Sequence, residues 1–461
     1  MRVNKTIRRN TLKLFSLLMS TLLVLPLGAV TANAMDASAK STANTGSKTS
    51  LHHGQATSDQ SKISSRLKDQ FSKDKYVTFL VKLQSQADTK KAAKNAAKMA
   101  KDQKLTAAKA KYMKRSAVVN ALRAMATETQ EPLLKYLENE KKAGNVKNYE
   151  SFYIVNGIAV TGTETVMKKL ATFSEVEKIL PNETRQLFPV KTEPMKTEPA
   201  KNKKQTTGTV EWNIERVGAP AVWNMGYDGT GVVVASIDTG VQWDHPALKE
   251  KYRGYNPTNP DEPDNEFNWF DAVRGQAMPY DDIGHGTHTM GTMVGSTDDR
   301  VIGMAPGAKW ITVKAFTEAG GTDVDLLEAG EWILAPKDRN NNPHPEMAPD
   351  VVNNSWGGGP GLDEWYRPMV QNWRAAGIFP EFSAGNTDMF NPGGPGSVAS
   401  PANYPESFAT GATDRNDHLA SFSLQGPSPY GEIKPEVSAP GVNICSSVPG
   451  SQYDCTYSGT S

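Results

Sequence analysis

The run Val232-Val-Val-Ala-Ser-Ile237 constrains the fold more than any other stretch of this chain. It is apolar but for one serine and shows no alternation, the pattern of a strand buried on both faces. Such strands belong to parallel sheets covered by helices on both sides. Comparable runs at Trp310–Phe316, Asp350–Asn354 and Ile378–Phe382 alternate with helical patterns near Asp323–Leu334 and Leu362–Ala376. Residues 209–461 are therefore predicted to be α/β, a doubly wound parallel sheet, in which sites form at the carboxyl ends of strands. Asp238, Ser355 and Asn386 fall at such ends. Lys251–Met278, dense in Pro, Asn, Asp and aromatic residues, reads as a surface excursion.

The first 208 residues follow different rules. Residues 1–34 carry a charged start (Arg2, Lys5, Arg8, Arg9), a mostly apolar Leu14–Val30 and the small-x-small pattern Ala32-Asn33-Ala34. This is the layout of a secretory signal peptide, so a secreted, extracellular protein is expected. Pro26 and Gly28 interrupt the apolar stretch, against a retained membrane helix, and no later segment is apolar enough to span a bilayer. Residues 35–69, rich in Ser, Thr, Ala and Lys, read as a flexible leader. Within 70–189, Val77, Phe79, Val81 and Leu83 alternate as on a strand. An Ala/Lys run follows, with 10 basic residues and 1 acidic between Lys90 and Arg115, predicted helical to about Lys142. Short strands at Ser151–Val155 and Ile158–Thr161, a helix at Thr165–Thr172 and a strand at Val176–Leu180 complete a small α+β domain. Its order, β-α-β-β-α-β, is ferredoxin-like. Residues 190–208 repeat Lys-Thr-Glu-Pro at 191–194 and 196–199 and form an extended linker.

Charge divides the chain at the same place. Residues 209–461 hold 14 Lys+Arg against 33 Asp+Glu, a formal −19, leaving 37 against 17 and +20 for residues 1–208. The basic half alone would suit a nucleic acid. Joined to an acidic half of almost equal magnitude, it suits an intramolecular partner of complementary charge.

Three short strings offer chemistry: Ala235-Ser-Ile-Asp-Thr-Gly-Val241, Gly284-His-Gly-Thr-His-Thr289 and Tyr457-Ser-Gly-Thr-Ser461. A serine hydroxyl needs a base on one side and charge stabilisation on the other before it attacks an amide. Asp238 ends an apolar strand, where burial is expected, although a strand-end aspartate alone is as easily a turn residue. His285 and His288, three apart at the start of a predicted helix, could chelate zinc, but no Cys or Glu cluster follows at metal spacing.

Taken together, with the order Asp, His, Ser, the three strings resemble the active-site motifs of the subtilisin-like serine proteases, the subtilases. The resemblance implies Ser461 as nucleophile, His285 as general base and then acid, and Asp238 as the carboxylate that fixes the imidazole tautomer. It leaves His288 a structural residue. Phe382-Ser-Ala-Gly-Asn386 resembles the family's oxyanion-hole motif, making the Asn386 amide a donor together with the Ser461 N–H. Ser355-Trp356-Gly357 resembles its substrate-binding segment, which pairs with the peptide as an added strand; Trp356 either lines a pocket or simply packs. Val155-Asn-Gly-Ile-Ala-Val160 resembles the family's inhibitory propeptide domain, and the linker is then the natural place for a maturation cut. The run Trp212-Asn-Ile-Glu-Arg-Val-Gly-Ala-Pro-Ala-Val-Trp223 and the acidic catalytic half point to one subgroup of the family.

The expected function is a secreted serine endopeptidase that works through an acyl-enzyme and is made as a self-processing zymogen. Its partners are protein and peptide substrates and its own propeptide as intramolecular inhibitor, with no nucleic acid and, after signal removal, no membrane. A solvated face is the plainer account of the basic helix. No cofactor is expected for catalysis and no metal ligand is assigned. Ala247 replaces an aspartate that often binds calcium after His-Pro in the family, while Asp298 and Asp299 leave structural Ca2+ open without indicating it. Cys445 and Cys455 flank a Pro449-Gly450 turn and could face each other as a disulfide or stay free thiols. The family motif continues past its serine into a helix and strands, so the chain is expected to lack the C-terminal part of the peptidase domain and to be inactive as it stands. The alternative is a catalytically inactive fragment that acts only through its prodomain, as folding chaperone or inhibitor.

Overall fold

The computed structural model describes residues 59–192 and 209–461. The predicted signal peptide, 1–34, and most of the predicted leader and linker lie outside the described residues, all of which fall in one compact unit. The N-terminal domain is built on β1 (Val77–Leu83), β2 (Val146–Phe152), β3 (Gly157–Gly162) and β4 (Val176–Pro181), an antiparallel sheet in spatial order β2-β3-β1-β4. Alternation along β1 sends Val77, Phe79, Val81 and Leu83 to one face, where they are buried with Leu133, Leu137, Val166, Met167 and Leu170. Ile63, Leu67 and Phe71 pack on the same core, and Arg66–Phe71 is helical, so the folded domain begins inside the stretch predicted as flexible leader. Three apolar residues anchor a segment whose average composition is polar.

The Ala/Lys run is two helices instead of one: α1 (Thr89–Asp102) and α2 (Ala107–Lys142). Lys104 takes a left-handed φ of 51°, and the Leu105 N–H bonds back to the Ala100 carbonyl at 3.0 Å, the closure of a Schellman C-cap. Thr106 then caps α2 by accepting the Lys109 N–H. α3 (Glu164–Leu170) completes the domain. Past it the chain continues into two short strands, β5 (Thr184–Leu187) and β6 (Lys191–Thr192).

The second domain comprises β7 (Val233–Asp238), β8 (Trp269–Asp271), α4 (His285–Val294), β9 (Lys309–Lys314), β10 (Gly321–Thr322), α5 (Asp323–Leu334), β11 (Val351–Asn354) and β12 (Trp356–Gly357). These are followed by α6 (Arg367–Ala376), β13 (Phe379–Ser383), β14 (Phe408–Thr413), β15 (Val437–Pro440), β16 (Ile444–Val448) and β17 (Gln452–Ser458). Seven strands form one sheet, ordered β15-β14-β13-β11-β7-β9-β8, with every neighbouring pair parallel. This is the predicted α/β class, with β7 an interior strand between β11 and β9 and Ala235–Asp238 fully buried. The predicted excursion Lys251–Met278 contains the edge strand β8. There the Asp271 carboxylate accepts the N–H groups of Val273, Arg274 and Gln276 to form the turn that follows. α6 starts at Arg367, later than Leu362, with Pro368 in its first turn.

The two domains share a core. Val118, Leu122, Phe152, Ile154 and Val155 belong to the same apolar cluster as Leu326, Leu327, Ile333 and Met369 on α5 and α6. Polar contacts fix the docking. Glu331 on α5 accepts the Tyr153 and Ile154 N–H groups at 2.8 and 3.3 Å, and Asn372 on α6 donates to the Ile154 carbonyl and accepts from Thr89. The buried Arg115 guanidinium donates to the carbonyls of Ala348 and Pro349 and to Asp350, which also pairs with Lys111. The complementary charge of the two halves is thus in contact here. Among the described residues no helix is long and apolar enough to cross a membrane.

Candidate active site

Asp238 is the last residue of β7 and is fully buried. Its Oδ1 accepts the Thr239 N–H at 2.7 Å, and Oδ1 and Oδ2 lie 2.8 and 3.0 Å from His285 Nδ1. His285 is the first residue of α4, and the turn before it is held by Asp281. That carboxylate accepts the N–H groups of Ile283, Gly284 and Thr287 and the hydroxyls of Thr239 and Thr287. Asp281 thus ties the Asp238 turn to the His285 turn. Sequence reasoning missed it, although an acidic residue just ahead of a predicted helix start is the signal for such a role. Gly286 makes the approach feasible, since a Cβ there would come within 2.1 Å of the Gly240 carbonyl oxygen. Fully buried Lys314 supports the same corner by donating to the carbonyls of Thr239 and Phe316 and to Asp282.

Burial opposes a charge on His285, but the charge and hydrogen bond of Asp238 outweigh it and hold the imidazole pKa above its ordinary value. With Nδ1–H donating to Asp238, the neutral ring presents a lone pair at Nε2, which is buried and has no hydrogen-bond partner among the described residues. His288, the other histidine of the motif, faces away from this pair. Its Nε2–H donates to the Ile444 carbonyl at 3.2 Å and its ring stacks on Tyr457. Burial, with the neighbouring His285, drives its pKa down to about 4.

That value has a consequence for stability. Between about pH 6.5 and 4 the unfolded chain binds a proton at this site that the folded chain refuses, so its contribution is complete above pH 6.5 and is lost as pH falls toward 4. The full shift corresponds to roughly 3 kcal/mol, and buried His245, also pushed down by burial, acts in the same sense. We expect urea midpoints to fall steeply between pH 6.5 and 4.5, and His288→Gln to flatten that slope. An unchanged slope in the variant would remove His288 from the account.

Ser461 lies at the end of the segment that Asn386 organises. Asn386 Oδ1 accepts both the N–H and the hydroxyl of Thr460, at 3.0 and 2.9 Å, and the Gly385 N–H donates to Thr460 Oγ1. This holds the carboxamide so that Nδ2 points into the cleft. The structure therefore brings Asp238 to His285 and Asn386 to the Ser461 segment, with no hydrogen bond between His285 Nε2 and the Ser461 hydroxyl. Of the predicted substrate-binding residues, Trp356 and Gly357 form β12, while Ser355 offers its carbonyl to the cleft. The Trp356 side chain is buried and packs in the core between Phe316, Tyr366 and Phe382. Cys445 and Cys455 are joined as a disulfide across the β16–β17 hairpin.

The cleft is filled by the chain itself, with residues that sequence reasoning did not single out. β5 lies between β10 and β12, antiparallel to both, pairing Thr184 and Arg185 with Thr322 and Gly321, and Gln186 and Leu187 with Gly357 and Trp356. The Phe188 N–H donates to the Ser355 carbonyl at 3.4 Å. The Phe188 ring is buried in an apolar pocket with Ala399 and Leu424. Gly357 and Gly385 form its walls, where an added Cβ would sit 2.6 and 3.1 Å from the ring. Asn386 Nδ2 donates to the Pro189 carbonyl at 3.0 Å, and β6 then pairs with Tyr457 and Ser458.

A parallel sheet with an Asp–His pair at the end of an interior strand, and a peptide-pairing cleft beside it, is the frame of a subtilase. Residues 229–461 match the model of the subtilase family and residues 78–188 that of the peptidase inhibitor I9 domain; the chain belongs to the subtilase family. It is 65% identical over 408 residues to bacillopeptidase F of Bacillus subtilis (strain 168), the subgroup to which Trp212–Trp223 points. That alignment covers 88% of this chain and 28% of the relative's length. It is 34% identical over 255 residues to subtilisin Savinase of Lederbergia lenta, covering 55% of this chain and 79% of that protein. Subtilisin E of Bacillus subtilis (strain 168) is 32% identical over 256 residues, 55% of this chain and 58% of the relative.

Proposed function

We propose that the protein, as its host makes it, is a secreted serine endopeptidase produced as a self-processing zymogen. The observation that carries this reading is the buried Asp238–His285 pair facing a cleft in which a peptide segment lies paired between two strand edges. In the proposed reaction His285 Nε2 takes the Ser461 proton as Oγ attacks the substrate carbonyl. Asn386 Nδ2 and the Ser461 N–H receive the negative charge that develops on oxygen. His285 then protonates the departing amine, and water, activated by the same base, releases the acyl group. Asp238 keeps the ring in the productive tautomer throughout. The N-terminal charge and apolar pattern of residues 1–34 and the Cys445–Cys455 disulfide support secretion. A fluorophosphonate probe on the secreted protein tests the reading: a modified peptide containing Ser461 is expected, and labelling elsewhere alone would refute the nucleophile.

In this reading the I9 domain inhibits by laying 184–190 through the cleft. The bound segment is out of step for cleavage. The side chain in the pocket belongs to Phe188, but the carbonyl held by Asn386 belongs to Pro189, so no single peptide group meets both requirements. Proline restrains both its own φ and the residue before it, and its tertiary amide is a crowded leaving group. Pro189→Ala is expected to convert the segment into a substrate, with a new chain end at Phe188 visible by intact-mass spectrometry and absent from the parent protein. A Phe188 end in the parent, or none in the variant while it still digests casein, would exclude this account.

A further inference from the structure

The geometry points to a subsite for a basic side chain, formed by Asp323, Asp363 and Tyr366, three residues upstream of the pocket residue. It rests on the protease reading and specifies which substrates that cleft selects. Its present occupant is Arg185. The Arg185 Nε donates to Asp323 Oδ1 at 2.7 Å and Nη1 to Asp363 Oδ2 at 3.1 Å, and the guanidinium lies over the Tyr366 ring at 5.6 Å. The Arg185 side chain is 13% exposed and that of Asp323 3%, so the central pair is removed from water, while Asp363 at 42% closes the outer rim. Tyr366, whose phenol is pushed up by burial and stays neutral, donates its hydroxyl to the same Asp323 oxygen. The Asp323 N–H in turn bonds the Glu183 carbonyl, and the Glu183 N–H bonds Asp323 Oδ2. The backbone of the bound segment and the charged pocket are therefore registered by one residue.

The placement repeats what a substrate would do. Arg185 reaches the pocket from a strand paired on both sides, with Phe188 seated in the apolar pocket, and nothing in that geometry depends on the segment belonging to the same chain. When the segment leaves, a nearly buried carboxylate loses its cation, a state more costly than the paired one. A substrate reading Arg-x-x-Phe restores the pair; one with leucine or glutamate there leaves it open or opposes it. A bidentate-capable, planar guanidinium over an aromatic ring favours arginine above lysine.

Two measurements test the subsite, and they separate its failure from that of the protease reading. In the processed enzyme, peptides built on Thr-Arg-Gln-Leu-Phe-Ala should be cut after Phe, with kcat/KM about 30-fold or more above the Arg→Leu peptide and lower still for Arg→Glu. Asp363→Asn should shrink that ratio severalfold without touching the Phe requirement. Equal rates for arginine and leucine, with cleavage intact, would overturn the subsite and leave the protease. In the full chain, Arg185→Leu should accelerate amide hydrogen exchange of 184–187 at least about tenfold, an effect that needs no turnover. Accelerated exchange in a protein that cuts no peptide would keep the subsite and overturn the protease, and unchanged exchange would overturn the subsite directly.

Discussion

His285→Ala is expected to reduce kcat by a factor on the order of 10⁶, the size that loss of the base has in related serine proteases. The argument starts from the two ring nitrogens. Nδ1 is committed to Asp238, so the only lone pair facing the cleft is at Nε2. Among the described residues, neither nearby titratable group is free to replace it: His288 spends its Nε2 on the Ile444 carbonyl, and Asp281 spends both oxygens on the turn. KM should move little, because the Phe188 pocket and the β10 and β12 edges are built without His285. Steady-state hydrolysis of a peptide with Phe at the pocket position reads both constants, and fluorophosphonate labelling of Ser461 should fall in parallel. Activity within 100-fold of the parent would remove His285 from its role.

Asp238→Asn should cost about 10⁴ in kcat, the usual price of presenting an amide where the imidazole needs an acceptor. The side chain keeps its shape, so the loss arises from the tautomer and the missing charge. The pH profile carries the sign. Burial lowers the His285 pKa and Asp238 raises it, with the carboxylate prevailing in the parent. Catalysis requires the neutral ring, so activity climbs as pH rises through that pKa. With the carboxylate gone and burial unchanged, the acid limb of the residual activity should shift to lower pH. A limb that stays in place would mean that Asp238 does not set the protonation of His285.

Much of this was legible in the chain because it depends on local pattern. The run at 232–237, apolar but for Ser236, has the pattern of a doubly buried strand, and small residues around Asp238 and His285 leave room for two backbone turns to meet, as the 2.1 Å approach at Gly286 requires. The helix break at Lys104 was not legible. It uses neither Gly nor Pro, and only Thr106 as a cap hints at it. Nor was β8, whose Trp269-Phe-Asp271 sits amid turn-forming residues and is a strand because β9 offers it an edge.

The sequence by itself determined the class of fold, the order of the domains and the three residue types of the proposed triad, because hydrophobic periodicity and short motifs are properties of neighbours in the chain. Tertiary structure alone decided what fills the cleft. That Phe188 takes the apolar pocket, Pro189 the Asn386 amide and Arg185 the Asp323 carboxylate follows from where the N-terminal domain docks on α5 and α6. Each of those contacts joins residues well over a hundred positions apart, beyond the reach of any local pattern.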